Sequence, residues 1–319
     1  MKNSANKAFT IIELSIVIIA IAFLYFSIKA AAKLINNAES LVAANQADNA
    51  WEASEEESVS IPSIALPSSL AENTLIWLDA SDADTLTLSG DDVTAWSSKH
   101  QVNSNLTLTA LPPASSERPK SGQTTLNSRN VLVFDGTDDN FVIDNSSLGF
   151  NPDTTDVSIF VVGSIDLVYG DGDASNGVDS TQDLDHFIAN QDGSGSGRSL
   201  LFMVDGFLDG NWAGGLRADS LDFTQEVYYL IGVVHDDSAG TTDFYLNNDN
   251  ENFTGTTGSS SDGDIVIAAH KFGPSGAHGA RAMLDGNIAE ILFFNKALSP
   301  SEIGDLQSYI NSKWGISFQ

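Results

Sequence analysis

Gly286-Asn-Ile-Ala-Glu290-Ile-Leu-Phe-Phe294-Asn-Lys-Ala-Leu-Ser299-Pro300-Ser-Glu302-Ile-Gly-Asp-Leu306-Gln-Ser-Tyr309-Ile310-Asn-Ser-Lys313-Trp314-Gly315-Ile316 decides the fold, because it writes out one strand and one helix with their ends. Residues 287–294 are mostly Ile, Leu and Phe, the composition of a buried strand. Ser299 and Glu302 form a capping box with Pro300 at the first helical position. Ile303, Leu306, Tyr309 and Ile310 fall on one helical face, and Gly315 suits the stop. Glu290 is the only carboxylate on its strand.

Working outward, short apolar or alternating runs sit between turn signals at 74–78, 130–134, 157–162, 199–204, 227–234, 242–246 and 264–268. With 287–294 they make eight strands with no long helix among them, which predicts an antiparallel sandwich or barrel closed by a short C-terminal helix. Leu75-Ile-Trp77-Leu-Asp79-Ala-Ser81, Val93-Thr-Ala-Trp96-Ser, Val133-Phe-Asp135-Gly-Thr-Asp138-Asp139 and the run from Gly286 to Ile316 resemble a bacterial laminin G-like (concanavalin A-like) jelly roll. The resemblance covers residues 70–319 and implies two packed antiparallel sheets. Trp77, Trp96 and Trp314 read as packing residues.

Residues 9–28, from Phe9 to Ile28, carry one charge, Glu13, in an otherwise uncharged and largely apolar run. As a helix the run is ~30 Å long, enough to cross a bilayer core. A carboxylate inside it is costly and marks a functional position. Ala31, Leu34, Ile35, Ala38, Leu41 and Val42 continue an apolar stripe, and no Gly or Pro interrupts the chain between Phe9 and Ile61. One long helix over 9–53 is expected.

Lys7-Ala8-Phe9-Thr-Ile-Ile-Glu13-Leu resembles the leader-processing signal of type IV pilins and pseudopilins, with Ala8 where most members have Gly. The resemblance implies a leader at 1–8, cut between Ala8 and Phe9 by a prepilin peptidase that methylates the new amine. It implies that Glu13 neutralises the amine of a neighbouring subunit and sets the filament register. The protein would sit in the inner membrane with its C-terminal part exported, then join an extracellular pilus or a periplasmic pseudopilus. Acidic, Ser-rich residues 54–69, with Pro62 and Pro67, read as a linker.

The chain has a net charge of −29, and residues 1–53 contribute none of it, since Lys2, Lys7, Lys29 and Lys33 balance Glu13, Glu39, Asp48 and Glu52. So acidic a surface repels nucleic acid. There is no cysteine, hence no disulfide. Glycosidases of related fold place carboxylates on alternate strand positions, but Glu72, Glu117, Glu226, Glu251, Glu290 and Glu302 are isolated. No nucleophile elbow, phosphate loop or zinc helix occurs, and His270 and His278 are loosely spaced in a Gly-rich loop. The expectation is that the chain is not an enzyme.

One acidic stretch admits two readings. Asp171, Asp173, Ser175, Asp179 and Asp183 alternate like the ligands of a calcium loop, although Gln182 stands where a bidentate Glu belongs; otherwise the stretch is an acidic insertion. The whole then reads as a minor pilin-like subunit displaying a laminin G-like head for adhesion to glycans or surface proteins. The alternatives are a type II secretion pseudopilin, a membrane-anchored carbohydrate-active enzyme and a structural spacer.

Overall fold

The computed structural model describes residues 64–100, 109–110, 112, 114–146, 148, 151, 155–166, 184–191, 198–204, 207–210, 216–255, 263–269 and 283–318. Residues 1–63, and with them the expected helix over 9–53, lie outside this set. No helix among the described residues is long and apolar enough to cross a membrane. Ile64–Gln319 forms one compact unit.

A short helix α1 (Ser68–Ala71) leads into β1 (Thr74–Asp79), a 3-10 turn (Ala83–Thr85), β2 (Leu86–Ser89) and β3 (Asp92–Ser97). Short strands β4 (Thr109–Ala110), β5 (Thr125–Leu126) and β6 (Arg129–Asn130) precede β7 (Leu132–Asp135), β8 (Phe141–Ile143) and β9 (Val157–Ile165). Then come β10 (Leu184–Gln191), β11 (Arg198–Val204), β12 (Phe207–Gly210), β13 (Leu216–Asp222) and β14 (Tyr229–Asp236). The chain ends with β15 (Thr241–Leu246), β16 (Asp249–Thr254), β17 (Asp264–Ile267), β18 (Asp285–Phe294) and helix α2 (Pro300–Trp314).

Two antiparallel sheets pack as a sandwich, which is the sheet architecture expected from the sequence. One has the order β1-β18-β9-β14-β15-β16 with β7 also paired to β18; the other runs β13-β12-β11-β10-β17-β8. Between them lies a core that includes Ile159, Val161, Ile231, Phe244, Ile291 and Phe293 from the first sheet and Phe141, Ile188, Leu201 and Ile265 from the second. Side chains alternate along a strand, so Phe160, Val162, Leu292 and Phe294 point to the first sheet's other face. There they meet Ile303, Leu306, Tyr309, Ile310 and Trp314 of α2. Covered on both faces, β9 is buried at all nine residues, and β18 at every residue except half-buried Asp285, which explains why Val, Ile, Leu and Phe dominate them.

The helix begins and ends where its residues dictate. The Ser299 side chain accepts from the Glu302 backbone N–H, and the Glu302 carboxylate accepts from the Ser299 backbone N–H at 2.9 Å. Lys296 also donates to Glu302, which together with the Ser299 bonds pulls its carboxyl down to about 2. Gly315 takes a left-handed conformation at φ 73°. Trp314 and Trp96 are buried in the two separate cores.

Beneath α2 lies a buried polar network. Glu290 is fully buried and accepts from Trp77 Nε1 at 2.5 Å, Tyr309 Oη at 2.6 Å and Trp314 Nε1 at 2.5 Å. Lys313, itself 2% exposed, lies 3.1 Å from Glu290 and 2.7 Å from Asp79. Burial pushes the Glu290 carboxyl above its ordinary value, and Lys313 pulls it back. Burial also acts on Asp79, but Lys313 and Lys99 outweigh it and hold that carboxyl low. Four donors converging on one acidic group suit a carboxylate whose role is to clamp helix to sheet.

Candidate functional site

The face of the first sheet that α2 covers continues past the helix into a polar groove. Val133 and Asp135 alternate with the core residues Leu132 and Phe134, so they project to this side. On β9 Ser164 has the parity of Val162, and Asn287 of β18 sits opposite Ser164 in the register. A strap runs between β3 and β7: Lys120 exchanges two 2.9 Å backbone bonds with Val133, while Val93 of β3 donates to the Pro119 carbonyl and Ser121 to that of Asp91 just before β3.

Two adjoining hollows of about 410 Å³ each result. Asp92, Ser115, Ser116, Arg118, Lys120, Asp135 and Asp139 line the first. Thr124, Ser164, Asp166, Glu226, Tyr228 and Asn287 line the second, and Gln123 and Val133 border both. Each is of a size that holds a small ligand, but the linings are unusually polar for such sites.

The carboxylates here crowd one another. Asp135, Asp138 and Asp139 each place an oxygen within 4.8 Å of the others. The turn that gathers them needs Gly136, which has φ 69° and whose absent Cβ would lie 2.8 Å from Asp285 Cβ. Burial, then the charge of Asp135, pushes the Asp139 carboxyl up to about 7. Burial and Asp135 raise Asp285, while burial followed by Asp285 and Glu226 raises Asp166. Asp92 differs: Lys120 pairs with it and holds its carboxyl low. The Arg118 Nε is buried without a hydrogen-bond partner among the described residues. The oxygen-only set of Asp135, Asp138 and Asp139 is of the kind that holds a hard cation.

A raised carboxyl sets a pH dependence. Between pH 3.8 and about 7 the unfolded chain releases the Asp139 proton while the folded chain keeps it, so stability falls as pH rises through that window. Asp139→Asn, which mimics the protonated side chain, is expected to flatten the slope by up to about 1.4 kcal/mol per pH unit. Urea unfolding across the window checks this, and an unchanged slope would place the carboxyl in the ordinary range.

The site residues singled out from the sequence are not among the described residues: Ala8, Phe9 and Glu13 lie outside them, as do Asp171, Asp173, Ser175, Asp179, Asp183, His270 and His278. Sequence reasoning quoted Asp135-Gly-Thr-Asp138-Asp139 but treated it as structural, set Glu226 aside as an isolated carboxylate, gave Asp166 no role of its own at the start of the acidic stretch, and missed Arg118, Gln123 and Tyr228. The tight acidic turn after a strand was the one local signal available.

No known protein family and no curated protein sequence matches the chain. Solved structures do share the sandwich. A Trypanosoma rangeli sialidase in complex with sialic acid matches at TM-score 0.52 and 14% identity, over 87% of this chain and 40% of the sialidase. The covalent-intermediate form of that sialidase matches at TM-score 0.51 and 12% identity, over 78% and 34%. The binding domain of Paraclostridial Mosquitocidal Protein 1 matches at TM-score 0.50 and 13% identity, over 76% and 53%. The chain spans only about a third to a half of these proteins, and at such identity the likeness is one of fold.

That finding overturns the expectation that the chain is not an enzyme, because its fold occurs within enzyme chains. The physical reason lies in where the carboxylates are. The sequence search sought them at alternate positions of one strand, whereas the fold gathers Asp92, Asp135, Asp139, Asp166 and Glu226 from separate segments.

Proposed function

We propose that the chain is a pilin-like subunit whose exported laminin G-like jelly roll recognises a glycan in the groove bounded by Asp135, Gln123 and Tyr228. The lining of the two hollows carries this reading. Among the described lining residues Val133 is the only aliphatic side chain; the others present carboxylates, amides, hydroxyls, the cations Arg118 and Lys120, and one half-buried tyrosine. A sugar offers many hydroxyls and few apolar atoms, so it matches such a surface better than a greasy ligand does. Tyr228 adds an aromatic face for the C–H side of a sugar ring. The N-terminal leader signal and Glu13 supply the case for assembly into a filament.

A second reading, a membrane-anchored carbohydrate-active enzyme, is favoured by one pair. Asp139 is a carboxyl that keeps its proton near neutrality, and an Asp135 oxygen lies within 4.8 Å of one of its own. Retaining glycosidases hold an acid and a nucleophile at a separation of about 5 Å.

A glycan array probed with the full chain in detergent separates the readings. Binding that Gln123→Ala and Tyr228→Ala weaken about tenfold supports recognition in the groove. Release of reducing sugar that Asp139→Asn abolishes while binding persists would establish the enzyme. Binding untouched by all three changes would remove the groove from the account. Immunogold labelling of extracellular fibres, lost in Glu13→Ala, would support filament assembly; gold confined to the envelope would favour a secretion pseudopilin.

A further inference from the structure

We infer that the groove selects a linear glycan bearing free amino groups, with at least two sugar units laid across the adjoining hollows. The inference rests on the glycan reading above and adds the ligand's charge and length. Length follows from geometry: the hollows share Gln123 and Val133 as a common border, so an occupant of one is led into the other. Charge follows from the lining. Asp166 and Glu226 face the second hollow, and no Lys or Arg is among its described lining residues. In the first hollow Lys120 is already paired with Asp92, which leaves Arg118 beside Asp135 and Asp139.

Asp166 and Glu226 thus line the second hollow and Asp135 the adjoining first one, so carboxylates that repel one another face the shared groove. An anionic sugar would add to that repulsion, and a neutral one would leave it in place. Ammonium groups spaced along a saccharide would relieve it while the remaining hydroxyls use the amides and Tyr228. A basic peptide carries similar charge, but the groove offers it little. Peptides bind by adding to a strand edge or by filling apolar pockets. Here β7 is flanked by β18 on one side and bridged by Lys120 on the other, and apolar lining is scarce.

Calorimetry on the full chain in detergent tests the inference. The probes are a β-1,4-linked glucosamine oligomer, its N-acetylated counterpart and an oligolysine of matching length. The free-amine oligomer is expected to bind about tenfold tighter than the acetylated one, with the gap closing as salt rises. Asp166→Asn and Glu226→Gln should each weaken the free-amine oligomer several-fold and the acetylated one markedly less, with thermal unfolding confirming that both variants fold. Equal binding of the two oligomers would overturn the charge argument and leave the glycan reading standing. Oligolysine binding as tightly as the amino sugar would make the ligand a basic peptide. Binding of no probe, together with an empty glycan array, would remove the glycan reading itself.

Discussion

Lys313→Met lowers the unfolding free energy by about 3–5 kcal/mol, because it takes the ammonium from a buried cluster and leaves carboxylates behind. The two carboxylates suffer unequally. Asp79 keeps Lys99 at 3.0 Å and the Ser81 hydroxyl at 2.7 Å. Glu290 keeps only neutral donors from Trp77, Tyr309 and Trp314. Its carboxyl already lies above the ordinary 4.5, and loss of the cation must push it higher. A folded-state value above the unfolded one gives stability that is present below the unfolded value and lost as pH rises. The deficit of Lys313→Met is therefore expected to shrink toward pH 4.5 and to widen above it. Adding Glu290→Gln to Lys313→Met removes the stranded charge and should recover part of the loss. Guanidinium unfolding of the single and double variants measures this; a single variant as stable as the parent would mean that the cluster carries no net charge pair.

Gly286→Ala costs about 3 kcal/mol, at the upper end for overpacking, since its Cβ would sit 2.2 Å from the Ser164 carbonyl oxygen and 3.1 Å from Ile165 Cα. Both are backbone atoms of β9, so no side chain can swing away and β18 must move from its partner. For a domain of this size the expected fall in Tm is about 6–12 °C. Displacing β18 also separates Asn287 from Ser164, a 3.0 Å hydrogen bond in the floor of the groove. Ligand binding should fall along with stability. Gly304→Ala serves as the control, because nothing lies within 4 Å of its absent Cβ and alanine suits a helix interior. A Gly286→Ala protein that melts with the parent would contradict the strand register.

The parts of the fold that announced themselves did so through local chemistry. Ser299, Pro300, Glu302 and Gly315 mark α2 because caps act within one turn of chain, and residues 157–162 and 287–294 mark strands covered on both faces. Strands such as Asp249-Asn-Glu-Asn-Phe-Thr254 and Leu216-Arg-Ala-Asp-Ser-Leu-Asp222 went unread, because half-solvated strands keep polar sequences that mimic loops. Glu290 looked isolated because its partners arrive from β1 and α2, which only the packed helix brings near. The groove was less legible still. Arg118, Asp135, Asp166 and Tyr228 belong to four segments, and each alone resembles an ordinary surface residue.

Diffraction from the chain crystallised with a bound amino-sugar oligomer tests the central claim most directly. The account predicts sugar rings across both hollows, with Gln123 at their border, Tyr228 against one ring and an amine beside Asp166. Sugar seated on another face, with the groove holding only solvent, would contradict it.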